Sequence, residues 1–153
     1  QQIRSLGVKL KHNINKSLIK NKSLILVDDS LVRGTTSIKI IKMLYEAGAK
    51  EVHLRISSPP IKFPDYYGVD TPNQNELLAS KFDLEGMRKY INAASLKFLS
   101  IEGLYKAMGY ENRNSTYPQF TDHCFTGDYP IEPTDANNKH LIKDEMSLMS
   151  TNQ

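Results

Sequence analysis

The sequence lacks the features that mark secreted, membrane and nucleic-acid-binding proteins. It has one cysteine, Cys124, so no internal disulfide can form. It has no apolar run of about 18 residues and no signal-peptide pattern, which argues against a membrane partner and favours a reducing cytoplasm. A helix-turn-helix pattern and a clustered basic face are also missing, so no nucleic-acid partner is expected. We therefore expect a cytoplasmic protein.

What is present is ordinary for a globular protein. Of the 153 residues, 39% are hydrophobic and 24% are charged, with a formal net charge of +3. A chain of this length can bury one core, so two independent domains are not expected. It begins at Gln1 without an initiator methionine, from which we expect either a piece of a longer polypeptide or a recombinant product.

Hydrophobic patterning predicts one strand–helix–strand unit. The uninterrupted apolar run in Ser23–Val27 is typical of a strand covered on both faces, as in parallel sheets. After Gly34, apolar residues recur every three or four positions as far as Gly48, which predicts an amphipathic helix. The alternation from Val52 to Ile56 predicts a second strand. Together these elements predict an α/β fold with a parallel sheet.

Outside this unit the patterns predict helices and loops. Residues 2–13 have near-helical apolar spacing, and residues 13–22 form a polar connector that predicts a loop. Helix starts are predicted at Thr71, which precedes a proline, and at the N-cap residues Asp83 and Ser100.

The chemistry is concentrated in Leu24–Ser37, whose sequence is LILVDDSLVRGTTS. Asp28 and Asp29 follow the first strand, at the edge where open α/β sheets bind ligands. Two adjacent carboxylates repel each other, so a metal ion or hydroxyl donors are expected to compensate them. A ribose diol supplies two such donors, and Mg²⁺ prefers carboxylate, water and phosphate oxygens. The acid pair is therefore predicted to bind both.

Gly34 is predicted to open a phosphate site. Glycine lets the backbone approach a ligand closely, and Thr35, Thr36 and Ser37 place hydroxyls beside the free N–H groups of a helix start. Together with the acid pair before it, this site has the length of a ribose 5-phosphate.

The segment resembles the phosphoribosylpyrophosphate (PRPP) signature of type I phosphoribosyltransferases. Receiver domains also place an acid pair after a strand, but they need a third aspartate on another strand and lack the Gly-Thr-Thr-Ser that follows here. The resemblance implies part of a type I phosphoribosyltransferase parallel sheet with flanking helices, followed by C-terminal helices and a loose tail. It implies Mg²⁺ on the acid pair. The residues that it implies for PRPP binding are Asp28, Asp29, Ser30, Arg33, Gly34, Thr35, Thr36 and Ser37.

Further segments are similar to the glutamine PRPP amidotransferase family in particular. They are EAGAKEV at 46–52, RISSPPI at 55–61, YGVD at 67–70, ELLA at 76–79 and FTGDYP at 125–130. The resemblance runs from about residue 1 to residue 130, which we expect to be the C-terminal part of a phosphoribosyltransferase domain. We expect residues 131–153 to be a flexible polar tail and the family's N-terminal glutaminase domain to be absent.

The resemblance also implies an activity and its regulation. The family releases ammonia from glutamine and uses it to displace pyrophosphate from PRPP, giving 5-phosphoribosylamine in the first step of de novo purine synthesis. Purine nucleotides act as feedback inhibitors, and Lys9, Lys11 and Arg33 are candidate phosphate contacts or, alternatively, ordinary surface side chains. A homo-oligomer is expected for the full-length protein. The alternatives are a non-catalytic PRPP-binding regulator and an inactive truncated product.

One branch of the family carries a [4Fe–4S] cluster on four cysteines. Positions that match three of these cysteines are Asp65, Thr121 and Cys124 in this sequence. Because one thiolate remains, no iron–sulfur cluster is expected. Nor does Cys124 match the family's catalytic cysteine, which lies at the mature N-terminus of the glutaminase domain. The 153 residues by themselves are therefore expected to be inactive.

Overall fold

The computed structural model describes residues 15–69, 71 and 73–131. The predicted helix over residues 2–13, the candidate lysines Lys9 and Lys11, and the predicted tail beyond Ile131 lie outside these residues. The elements, in chain order, are α1 (Lys16–Ile19), β1 (Ser23–Asp28), α2 (Thr35–Glu46), β2 (Glu51–Ile56), a 3₁₀ turn (Gln74–Glu76), α3 (Leu78–Lys81), α4 (Leu84–Ile91), β3 (Ser95–Phe98), α5 (Ile101–Ala107) and α6 (His123–Thr126).

The described strands form one parallel sheet in the order β1-β2-β3. In its register Leu26 lies beside Leu54, and Leu54 beside Leu96. The strand–helix–strand prediction for β1, α2 and β2 is confirmed, and with it the α/β fold class. The sequence patterns did not predict β3, a strand of four residues with a single buried side chain.

The core lies between one face of the sheet and the helices α2 and α4. Val52 and Leu54 of β2 are fully buried, as are Ile41 of α2 and Ile91 of α4, and all four belong to one apolar cluster. Burying a side chain of this size contributes roughly 1.5 to 3 kcal/mol. This cluster fixes β1 and the start of α2 relative to each other, which positions the loop between them.

The other face of β1 is open in the described part of the chain. Ile25 and Val27 are 69% and 68% exposed, so the expectation of a strand covered on both faces is wrong for these residues. β1 is also at the edge of the sheet as described, with β2 as its neighbour. An apolar run shows that a strand is suited to burial, but it does not show which element covers it.

Two of the predicted helix starts are confirmed. Asp83 Oδ1 accepts a hydrogen bond from the Gly86 amide at 2.7 Å, and Ser100 Oγ accepts one from the Gly103 amide at 3.0 Å. Thr71 does not begin a helix, because its hydroxyl instead accepts a hydrogen bond from the Asp65 amide. The 3₁₀ turn follows at Gln74 and α3 at Leu78. The predicted loop over residues 13–22 contains the short helix α1.

Asp122 holds the segment after α5 in place. It accepts hydrogen bonds from the Tyr105 hydroxyl at 2.8 Å and from Arg113 Nε at 2.6 Å, and it is 3% exposed. Burial alone would raise the pKa of Asp122, but the hydrogen bonds from Arg113 and Tyr105 hold it below its usual value. The carboxylate is therefore ionised at neutral pH.

Within the described residues, no helix is both long and apolar enough to cross a membrane.

Candidate functional site

A cavity of about 330 Å³ opens at the carboxyl end of β1. It is lined by the ten consecutive residues 28–37, which connect the end of β1 to the first turn of α2. All of the predicted PRPP-binding residues line it, namely Asp28, Asp29, Ser30, Arg33, Gly34, Thr35, Thr36 and Ser37. The loop therefore brings the acid pair and the helix start to one concave surface.

The acid pair is held by local hydrogen bonds. Asp28 Oδ1 accepts from the Asp29 amide at 3.0 Å, and Asp29 Oδ1 accepts from the Ser30 hydroxyl at 3.1 Å. Among the described residues neither carboxylate forms an ion pair with a basic side chain. Two adjacent negative charges without a protein cation are a favourable place for a bound cation or for hydroxyl donors.

The donor set at this position fits a hard cation that shares its coordination with substrate. No group of three or more His, Cys, Asp or Glu side chains that could hold a metal ion occurs in the described ranges. Two carboxylates alone do not fill the octahedral shell of Mg²⁺, which commonly keeps waters and takes substrate phosphate oxygens as further ligands. The site thus fits Mg²⁺ as a partner of a phosphate-bearing substrate.

Ser57, which follows β2, fixes the backbone beneath the acid pair. Its amide donates to the Asp28 carbonyl at 3.0 Å, and its hydroxyl donates to the same oxygen at 3.2 Å. Sequence reasoning did not assign Ser57 a role in the site. The signal that could have found it is its position directly after the neighbouring parallel strand, since the carboxyl ends of parallel strands meet at one edge.

The first turn of α2 forms the other end of the cavity. Gly34 occupies the cap position with φ +77°, and the cap makes no side-chain hydrogen bond. The amides of Thr35, Thr36 and Ser37 donate to no group among the described residues, as expected at the start of a helix. Thr35 and Thr36 are exposed, whereas Ser37 is buried. Free amides and a positive helix end favour a bound phosphate.

Gly34 is favoured by its backbone angle and by the close approach of two side chains. A Cβ atom at this position would lie 3.0 Å from Leu78 Cδ2 and 3.4 Å from Ile91 Cγ2. A positive φ is also strained for residues other than glycine. The loop therefore packs against α3 and α4 behind the cavity.

The Arg33 side chain forms an ion pair with Glu76. Its Nε donates to Glu76 Oε2 at 2.9 Å, and the two side chains are 51% and 49% exposed. Arg33 lines the cavity, as expected for a predicted PRPP-binding residue. Glu76 was not predicted from the sequence. The two residues are 43 positions apart, and no local pattern links them.

Asp65 and His123 form a buried pair in another part of the chain. Asp65 Oδ1 lies 2.6 Å from His123 Nε2, and the side chains are 8% and 6% exposed. The Asp65 carboxylate also accepts from the amides of Val69 and Tyr67. Burial would raise the pKa of Asp65, but these hydrogen bonds hold it below its usual value. Sequence reasoning did not predict this pair.

Cys124, next to His123, is a partly buried free thiol. Burial, with a smaller effect from the Asp65 and Asp122 carboxylates, raises the pKa of this thiol. The thiol is therefore protonated at neutral pH, and a protonated thiol is a poor nucleophile.

Curated relatives match almost the whole chain, although no family model matches it. An amidophosphoribosyltransferase of Rhizobium etli is 56% identical over 153 aligned positions, covering 99% of this chain and 31% of the relative. An amidophosphoribosyltransferase of Bacillus subtilis is 48% identical and covers 86% of this chain and 28% of the relative. The chain thus spans about a quarter to a third of the length of the curated relatives that it matches.

A solved structure has the same fold. It is glutamine PRPP amidotransferase from B. subtilis complexed with ADP and GMP, with a TM-score of 0.74 and 47% identity. The match covers 86% of this chain and 29% of the solved chain. At this identity the likeness extends beyond the fold, and it supports the type I phosphoribosyltransferase assignment of the sheet.

Proposed function

Since the chain belongs to the amidophosphoribosyltransferase family, we propose that it forms the PRPP-binding site of an enzyme that makes 5-phosphoribosylamine from PRPP and glutamine-derived ammonia. The observation that carries this proposal is the cavity over residues 28–37, which joins an acid pair to a free helix start. A ribose 5-phosphate has hydroxyls for the acids at one end and a phosphate for the amides at the other. Because the chain covers 31% and 28% of the R. etli and B. subtilis relatives, the activity of the whole enzyme is part of the proposal.

The residues of the cavity bind and orient the substrate. In the proposed reaction the ammonia lone pair forms a bond to the anomeric carbon of PRPP, and the bond from that carbon to the pyrophosphate oxygen breaks. Asp28 and Asp29 accept hydrogen bonds from the ribose hydroxyls, while Thr35 and Thr36 donate to the 5-phosphate. Among the described residues, no histidine, lysine or cysteine lines the cavity. Such a displacement depends mainly on positioning and on the exclusion of water rather than on a general base.

Mg²⁺ is proposed to bind at Asp28 and Asp29, the carboxylates without a basic partner in the described chain. When bound there, it would neutralise charge on the leaving pyrophosphate. Both carboxylates have oxygen atoms beyond those engaged in the local hydrogen bonds, so the fold leaves ligand positions for the ion.

Regulation by purine nucleotides is proposed at the same site. The solved B. subtilis relative was complexed with ADP and GMP, and a nucleotide shares its ribose 5-phosphate with PRPP. Homo-oligomerisation and a cytoplasmic location remain predictions, and several plant relatives are named as chloroplastic. The names of the relatives do not favour the alternative of a non-catalytic regulator.

The function is tested by measuring ammonia-dependent release of pyrophosphate from PRPP by the full-length protein with Mg²⁺. We expect steady turnover with ammonia and with glutamine, and competitive inhibition by a purine nucleotide. Tight PRPP binding without pyrophosphate release would instead support the regulator.

The full-length protein is also expected to contain no iron–sulfur cluster. At two of the positions that match cluster cysteines, Asp65 is engaged by His123 and two backbone amides, and Thr121 offers only a hydroxyl. Hard oxygen ligands suit such clusters poorly, and Cys124 is the single cysteine of the sequence. The protein purified without oxygen should be colourless, with no acid-labile sulfide. Stoichiometric iron and sulfide would contradict this expectation.

A further inference from the structure

Three consecutive residues of the cavity loop are held by one short segment of the chain. The Leu78 amide donates to the Val32 carbonyl at 2.8 Å, and Glu76 pairs with Arg33 at 2.9 Å. A Cβ atom at Gly34 would lie 3.0 Å from the Leu78 side chain, so Leu78 packs closely against this position. The segment Glu76–Leu78 therefore supports the back of the loop, and we call it the loop support.

The loop support is itself anchored in the core. Leu77 is fully buried, and Leu78 is 3% exposed and belongs to the main apolar cluster. Leu31, at the start of the loop, is 2% exposed and belongs to the same cluster. Because the loop support is fixed in the core, its contacts with the loop fix the position of the residues that line the cavity.

Arg33 is held in a way that leaves part of its guanidinium available. Its Nε is engaged by Glu76, whereas its Nη1 and Nη2 make no hydrogen bond in the described ranges. Guanidinium groups bind phosphate through parallel N–H donors in a fixed plane. Arg33 lines the cavity and Glu76 does not. The Glu76 carboxylate thus binds the Nε atom of the guanidinium, and Glu76 itself does not line the cavity.

We propose that Glu76 is a positioning residue that orients Arg33 toward the substrate phosphate. This inference rests on the proposed function and adds to it a residue that does not itself touch the substrate. A competing arrangement, in which Glu76 withdraws Arg33 from the phosphate, would engage the Nη donors that a phosphate uses. The observed bond engages Nε instead.

The test is a double-mutant cycle in the full-length protein, read out as the Kd for PRPP with Mg²⁺ and as KM and kcat. Arg33→Gln should weaken PRPP about 10-fold or more, since a hydrogen bond to a charged group contributes roughly 1.5 to 3 kcal/mol. Glu76→Gln should weaken PRPP by a smaller factor of about 2 to 5, because the pair is half-exposed. In the Arg33→Gln background, Glu76→Gln should have no further effect. KM should rise while kcat stays unchanged, as expected for lost uniform binding.

Glu46→Gln is the matched control. Glu46 is also a surface carboxylate paired with a basic side chain, Lys42, but it lies at the far end of α2 from the cavity. The control should leave the Kd unchanged, and the thermal midpoint should be the same for all single variants within a few degrees.

Two results would overturn the proposal. Equal losses from Glu76→Gln in the wild-type and Arg33→Gln backgrounds would mean a structural effect independent of Arg33. Tighter PRPP binding in Glu76→Gln would mean that Glu76 competes with the substrate. Asp29→Asn separates these results from a failure of the proposed function, because it should weaken PRPP binding by about 10-fold or more whether or not Glu76 positions Arg33.

Discussion

Asp29→Asn in the full-length protein is expected to weaken Mg²⁺-dependent PRPP binding by about 10-fold to 150-fold. The estimate follows from the roughly 1.5 to 3 kcal/mol of a hydrogen bond to a charged group. Asp29 is exposed and has no basic partner among the described residues, so its charge is available to the metal ion and the ribose hydroxyls. Titration calorimetry with PRPP in the presence of Mg²⁺ measures the change.

Asp28→Asn is expected to weaken binding in the same range. The asparagine keeps an oxygen that can accept from the Asp29 amide, as Asp28 Oδ1 does at 3.0 Å. The local fold should therefore survive, and the loss should come from the missing charge.

Asp83→Asn is a suitable control for both variants. Asparagine caps a helix about as well as aspartate, and Asp83 caps α4 without lining the cavity. PRPP affinity should be unchanged in this control. If both acid-pair variants also bind PRPP as the wild type does, the assignment of the cavity is wrong.

The features that sequence reasoning predicted are those encoded by neighbouring residues. β1, α2 and β2 have continuous or periodic apolar patterns, and the caps Asp83 and Ser100 have their partners three residues away. The cavity is also local, because ten consecutive residues line it. This is why the residues that line the cavity could be proposed from one segment of the sequence.

The features that it missed depend on contacts distant in sequence. Glu76 lies 43 residues from Arg33, and Asp65 lies 58 residues from His123. β3 has only four residues, which is too short for a clear apolar pattern. It is recognised as a strand by its parallel pairing with β2. A polar residue that acts through a distant partner leaves no periodic signal, so the structure is needed to find it.

The 153-residue polypeptide made by itself is expected to form no phosphoribosylamine from glutamine or from ammonia. For glutamine, its single thiol is Cys124, whose pKa is raised by burial and which lies outside the cavity. For ammonia, the described sheet leaves β1 at an edge with Ile25 and Val27 exposed. Such an edge invites aggregation, and the acid pair lies at its carboxyl end. Compared with the full-length protein, the 153-residue polypeptide should show no turnover.

Turnover and solubility have to be separated in this experiment. Val27→Lys places a charge on the exposed strand face and should raise the solubility of the 153-residue polypeptide without restoring activity. The assays are ammonia-dependent pyrophosphate release, glutamine hydrolysis and calorimetry with PRPP, each run beside the full-length protein. Steady ammonia-dependent release by the soluble 153-residue polypeptide, lost on Asp29→Asn, would show that these residues form a complete catalytic site. Since the curated relatives are about three times as long as this chain, we expect instead that closing the cavity against water depends on parts of the enzyme outside it.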